Sequence, residues 1–195
     1  MSRHHSLVVF PLLLGTVSAA AQSPVTFVDG AYPEMCEAIA KNVSNPSPSV
    51  ITGSRLGIPA LEICTLAIEA AGSTLEQRAG SFNNRGVLKF EQQDYAGALA
   101  DFDASVQLQS TLGQAHANRG YVLVVQKRWQ EAVAAFDQAV ALGTEELARV
   151  HFNRAGAHEE LRHAREAYRD YLKASELRPE WEDPKRELTR FSVRR

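Results

Sequence analysis

The chain has 195 residues, 45% hydrophobic, 8% aromatic and 23% charged, which excludes wholesale disorder and suits one domain with appendages. Lys and Arg number 21 against 23 Asp and Glu, a net charge of −2. No nucleic-acid partner is expected, because such proteins carry a basic excess.

In chain order, residues 1–21 read as a signal peptide. Arg3, His4 and His5 open it, Leu7 to Val17 is apolar, and Ser18 to Ala21 supplies small residues for cleavage after Ala20 or Ala21. Leu7 to Ala21 is 15 residues, short of the roughly 20 that span a bilayer. No stable membrane insertion is therefore expected after cleavage. A lipid anchor needs a cysteine at the cleavage point, and the first cysteine is Cys36. The expected location is a bacterial periplasm, with secretion as second choice. Residues 22–32 are expected to be disordered. The charge is uneven beyond the signal: Gln22 to Glu145 holds 8 basic and 13 acidic residues, net −5, and Glu146 to Arg195 holds 12 and 10, net +2.

Residues 33–72 are expected to form a helical hairpin. Cys36, Ile39, Ala40 and Val43 mark the apolar face of its first helix, and Ala60, Leu61, Cys64 and Ala67 that of its second. The proline-rich stretch Asn45-Pro46-Ser47-Pro48-Ser49 makes an extended connection. Asn42-Val43-Ser44 is formally a glycosylation sequon. Ser73-Thr74-Leu75-Glu76 reads as a capping box that opens the next helix.

Beyond it the chain repeats itself. Asn84-Arg85-Gly86 recurs as Asn118-Arg119-Gly120 and as Asn153-Arg154-Ala155, at offsets of 34 and 35. The same offsets relate Ala98, Ala132 and Ala167; Phe102, Phe136 and Tyr171; and Leu108, Leu142 and Leu177. The one-residue slip falls around Gly143-Thr144-Glu145, a turn where an insertion is cheap. Each unit pairs two amphipathic helices through a short polar link such as Gln126-Lys127-Arg128. Gly86, Gly120 and Ala155 are expected to face Ala98, Ala132 and Ala167 so that the helices approach closely. The aromatics at 102, 136 and 171 are expected to fill the space between hairpins. Asp183-Pro184 reads as the start of a last helix, with Leu188 and Phe191 covering the final repeat.

The period, the small residue in each first helix and the Ala, aromatic and small residues of each second helix resemble the tetratricopeptide repeat family. The resemblance implies an all-α, right-handed helix-turn-helix solenoid with units at 79–112, 113–147 and 148–181. The degenerate hairpin precedes them, and a capping helix with a basic tail at 182–195 follows. It also implies a groove lined by first helices, here Asn83, Val87, Phe90, Ala117, Tyr121, Val124, Val125, Arg149 and Phe152. Relatives that clamp a peptide carboxylate use a Lys, Asn and Arg set. At the corresponding positions, Asn83, Val87, Asn118, Arg149 and Asn153, only two Asn and one basic residue of that set survive. A carboxylate ligand is therefore not expected, and a more apolar groove is.

In the repeat frame Cys36 and Cys64 face each other inside one hairpin, which an oxidising compartment would convert to a disulfide. Two buried thiols are the alternative. A redox-active pair is not expected without Cys-x-x-Cys. His116 and His151 occupy equivalent positions and read as rings packed between helices. His158 and His163 are five apart, which puts them on different helix faces and not on a shared metal face. Asp101 with Asp103, and Glu159 with Glu160, are not spaced to flank a substrate. No nucleophile, phosphate-loop or zinc signature appears, so no enzyme activity, cofactor or metal is expected. The expected function is binding of a protein or peptide partner as an adaptor or assembly scaffold. The alternative is a self-associating structural protein of the cell envelope, the groove of each copy filled by a neighbour.

Overall fold

A computed structural model describes residues 32–42 and 58–191. The expected signal peptide, the proline-rich loop and the last four residues lie outside the described residues. So does the segment 22–32, except Tyr32, which opens the first helix. The described chain is helical: α1 (Tyr32–Asn42), α2 (Ala60–Glu69), α3 (Leu75–Glu91), α4 (Tyr95–Leu108), α5 (Gly113–Val125), α6 (Trp129–Leu142), α7 (Leu147–Glu160), α8 (Ala164–Leu177) and α9 (Glu182–Leu188). Each helix packs on its chain neighbour, with α1 also on α3, and first helices touch in the pairs α3–α5 and α5–α7. This nearest-neighbour pattern is that of a solenoid. No helix among the described residues is long and apolar enough to cross a membrane.

The pairs α3–α4 and α5–α6 close for one steric reason. A methyl group added at Gly86 would lie 2.7 Å from Phe102 Cε1, and one at Gly120 would lie 2.5 Å from Phe136 Cε1. The small residue therefore seats the aromatic ring of its own repeat. The rings fill the inside of each hairpin as well as its flank. Tyr121 meets Phe136 edge-to-face, at 5.3 Å between centroids. In the third pair Ala155 and Tyr171 take these places, and the Tyr171 hydroxyl donates to Glu159 Oε2 at 2.7 Å.

The three turns inside the pairs share one backbone device. Gln93, Lys127 and Arg162 adopt left-handed φ values of 63°, 58° and 62°. The next amide bonds back five residues in each: Asp94 N to Lys89 O at 2.9 Å, Arg128 N to Leu123 O at 2.8 Å, and His163 N to His158 O at 2.8 Å. This is the Schellman closure of a helix C-terminus. Between the second and third pairs α6 ends instead at Gly143, with φ 82°.

At the front, Cys36 and Cys64 form a disulfide across α1 and α2, their Cα atoms 4.8 Å apart. Met35, Ile39, Ile63 and Ala67 complete a small core there, which Leu88 joins to the first repeat. The capping box opening α3 is shifted by one residue from the expected one. Thr74 caps Gln77 N, and the Gln77 side chain returns to Thr74 N. Ser73 instead donates to Ala67 O. At the far end Trp181 stands at the N-cap position of α9 without a side-chain cap bond, so Pro184 sits third in the helix and not first. That position also lacks an intrahelical acceptor, which is why proline is tolerated there. Trp181, Leu188 and Phe191 cover the apolar cluster of the third pair.

Candidate functional site

The expected groove residues are where the sequence places them along the helices, but most are closed off. Val87, Ala117, Tyr121 and Val124 are buried in the central core. Phe152 is buried against Tyr171 and Trp181. Phe90 packs on Tyr95, and Val125 is half-buried. Arg149 is half-buried and pairs with Glu146 at 3.4 Å. The reason is the contact between successive first helices: α5 lies against both α3 and α7, so the stripe assigned to a ligand is the stripe that joins repeats. Tyr121 is 1% exposed, burial pushes its phenol well above the ordinary pKa, and its hydroxyl has no hydrogen-bond partner among the described residues.

The repeated Asn and Arg residues also act between elements. Asn118 Nδ2 donates to Asn83 Oδ1 at 3.0 Å, joining α5 to α3. Arg85 grips Asp101 with two bonds of 2.9 and 2.8 Å and reaches Thr65 of α2 at 3.0 Å. Arg154 grips Asp170 with two bonds of 2.7 Å and reaches Asp137 of the preceding repeat at 2.7 Å. In the middle repeat Ala135 stands where its neighbours have Asp101 and Asp170. Arg119 there pairs with Asp103 of the preceding repeat at 2.6 Å. The result is a ladder in which each arginine ties its own unit to the one before it. Burial alone would raise the Asp170 pKa, but Arg154 and His151 outweigh it and hold the carboxylate below its usual range. His151 is buried against Asp170 at 2.7 Å, and His116 is buried with its ring bonded to Ser110 O at 3.0 Å.

An open concavity among the described residues lies beside the buried stripe. A cleft of about 690 Å³ is walled by α1, the first half of α3, the α4–α5 link, the start of α5 and the α6–α7 link. Of the nine expected groove residues only Asn83 lines it. Its wall mixes apolar surface with the side-chain amides of Gln77, Asn83, Asn84, Gln109 and Gln114, several of which also bond within the protein. Four exposed carboxylates, Glu34, Glu37, Glu76 and Glu145, stand at it against one cation, Lys41, which pairs with Glu37. This cleft is thus distinct from the expected groove, and its charged side chains are mostly acidic. The uneven charge was legible in the sequence, whereas the contribution of α1 to the wall was not.

The described residues hold no group of three or more His, Cys, Asp or Glu placed to bind a metal. No protein-family model matches the chain. Tetratricopeptide repeat protein 36 of Danio rerio is 36% identical over 77 residues, which cover 37% of this chain and 41% of that protein. The match thus spans less than half of that relative. Among solved structures, "MamA 41-end from Desulfovibrio magneticus RS-1" superposes with a TM-score of 0.63 at 19% identity, over 83% of this chain and 84% of that one. The fold is a tetratricopeptide-repeat solenoid. "YrrB: a TPR protein with an unusual peptide-binding site" shares it, with a TM-score of 0.60 at 23% identity over 66% of this chain and 63% of that one. A tetratricopeptide solenoid is in general a module for interaction and not for catalysis. Solenoids of this kind present extended surfaces along the array of repeats.

Proposed function

We propose that the chain is a non-catalytic, exported binding scaffold whose cleft takes an extended segment of a partner protein bearing basic side chains. The observation that carries this reading is the cleft itself. Its amides suit the peptide backbone of an extended segment, and its carboxylates suit Lys or Arg side chains. The Cys36–Cys64 disulfide supports an oxidising compartment such as a periplasm.

The test is fluorescence anisotropy with a labelled Lys-rich peptide, at low and at physiological salt. The expected result is saturable binding that weakens with salt and falls at least tenfold in the double variant Glu34→Lys, Glu76→Lys. Both residues are exposed, so the fold is not at risk. Absence of binding, or equal affinity in the variant, overturns the reading. Light scattering run alongside separates the self-associating alternative, because a concentration-dependent dimer blocked by the same variant assigns the cleft to a second copy.

A further inference from the structure

The α7–α8 turn brings together two side chains that helical spacing keeps apart. Arg162 is left-handed, so the chain folds back after α7 and His163 N bonds to His158 O at 2.8 Å. The two imidazoles then meet, with Nδ1 atoms 3.4 Å apart and ring centroids at 5.6 Å. This corrects the expectation that the pair occupies different faces, which assumed an unbroken helix. His163 is exposed and its side chain makes no cap hydrogen bond. Among the described residues each imidazole has only the other as a side-chain hydrogen-bonding contact. Equivalent turns carry no such pair: Lys89 with Asp94, and Leu123 with Arg128, stand at the matching positions.

We propose that His158 and His163 form a surface site for a borderline divalent ion, Zn²⁺, Ni²⁺ or Cu²⁺. Two nitrogens bound to one Zn²⁺ at about 2.0–2.1 Å in tetrahedral geometry stand about 3.3 Å apart, so the observed spacing matches the bite of a chelate. The Nδ1 atoms now point at each other across a hydrogen bond, and an ion replaces that bond once both rings carry their proton on Nε2 and the exposed His163 ring turns so that the two lone pairs converge. Imidazole donors select borderline ions over Mg²⁺ or Ca²⁺. With two protein ligands the remaining positions fall to water, so the ion exchanges readily and Cu²⁺ binds more tightly than Zn²⁺. A bound ion ties the last turn of α7 to the cap of α8. No residue of this turn lines the cleft, so the site stands apart from the proposed peptide function.

The test is a Zn²⁺ titration of the full chain, followed by imidazole ¹⁵N shifts and by calorimetry. His4 and His5 are retained in every variant so that their contribution cancels. The expected result is one equivalent whose binding shifts His158 and His163. It is lost in His163→Gln and in His158→Gln and kept in His116→Gln. His163→Gln is exposed and is expected to leave the metal-free thermal midpoint unchanged, so loss of binding there is not loss of fold. Absence of any shift at these two rings up to millimolar Zn²⁺, or an undiminished equivalent in His163→Gln, overturns the proposal.

Discussion

The N-terminal hairpin and the three repeats solve the same problem by different means. Both must hold two antiparallel helices together and pass that order to a neighbour. The repeats do it with a ring seated on a small residue inside each pair and an arginine reaching back to the previous unit. Among the described residues the hairpin of α1 and α2 seats no ring on a small residue, and its core is Met35, Ile39, Ile63 and Ala67 around a covalent bond, with Tyr32 at the edge. It joins the ladder through Thr65, which accepts from Arg85 where the later units offer Asp103 and Asp137. A covalent link thus stands in where periodic packing is thin, and the link confines its own effect to one end of the array.

The comparison breaks most severely at the middle of the repeats. Tyr121→Ala empties a fully buried site and is expected to lower stability by about 3–5 kcal/mol. Tyr121→Phe removes only an unpartnered hydroxyl and is expected to be neutral or slightly stabilising. Urea melts of both variants check this, and equal losses would show that the hydroxyl carries the effect.

Next comes the staple. Replacing Cys36 and Cys64 by Ser opens a loop of 28 residues and is expected to cost about 3.5 kcal/mol in the chain-entropy account. Hydrogen exchange is expected to quicken in α1 and α2 and to stay slow in α5 to α8, since solenoid contacts are local. Uniform loss of protection would mean that the hairpin and the repeats are one cooperative unit.

The smallest effect sharpens the role of the ladder. Asp170→Asn keeps the shape and removes the charge facing Arg154, for an expected loss of about 2 kcal/mol at pH 7. Because the folded carboxylate titrates below its ordinary range, its contribution is present above the unfolded value of about 3.9. That contribution disappears as pH falls through the lower folded value. The gap between wild type and variant is therefore expected to close in acid, which thermal melts from pH 7 down to pH 3 would show.

Much of this was legible because repetition samples the same environment three times. Gly86 with Phe102 and Gly120 with Phe136 recur at fixed offsets, so helix pairs and their connections follow from the chain itself. The cysteine pair was legible in the same frame. The cleft was not, because one 3-and-4 stripe on α5 can serve a ligand or the next repeat, and only the approach of α3 and α7 decides between them. The ladder was hidden for a related reason. Arg119 and Arg154 reach acids of the preceding unit, a pairing that spacing within one unit does not express. His158 and His163 escaped because counting around a helix fails at a left-handed residue.

That left-handed residue has a consequence of its own. Gln93, Lys127 and Arg162 each hold a conformation that costs a side-chain-bearing residue about 1 kcal/mol and that glycine adopts freely. The array therefore keeps an unspent reserve at three equivalent turns, open to a single Gly or Asn substitution at each. A lineage drawing on it has room to accept destabilising changes elsewhere on the scaffold, such as those that reshape a binding wall, without altering the architecture that carries them.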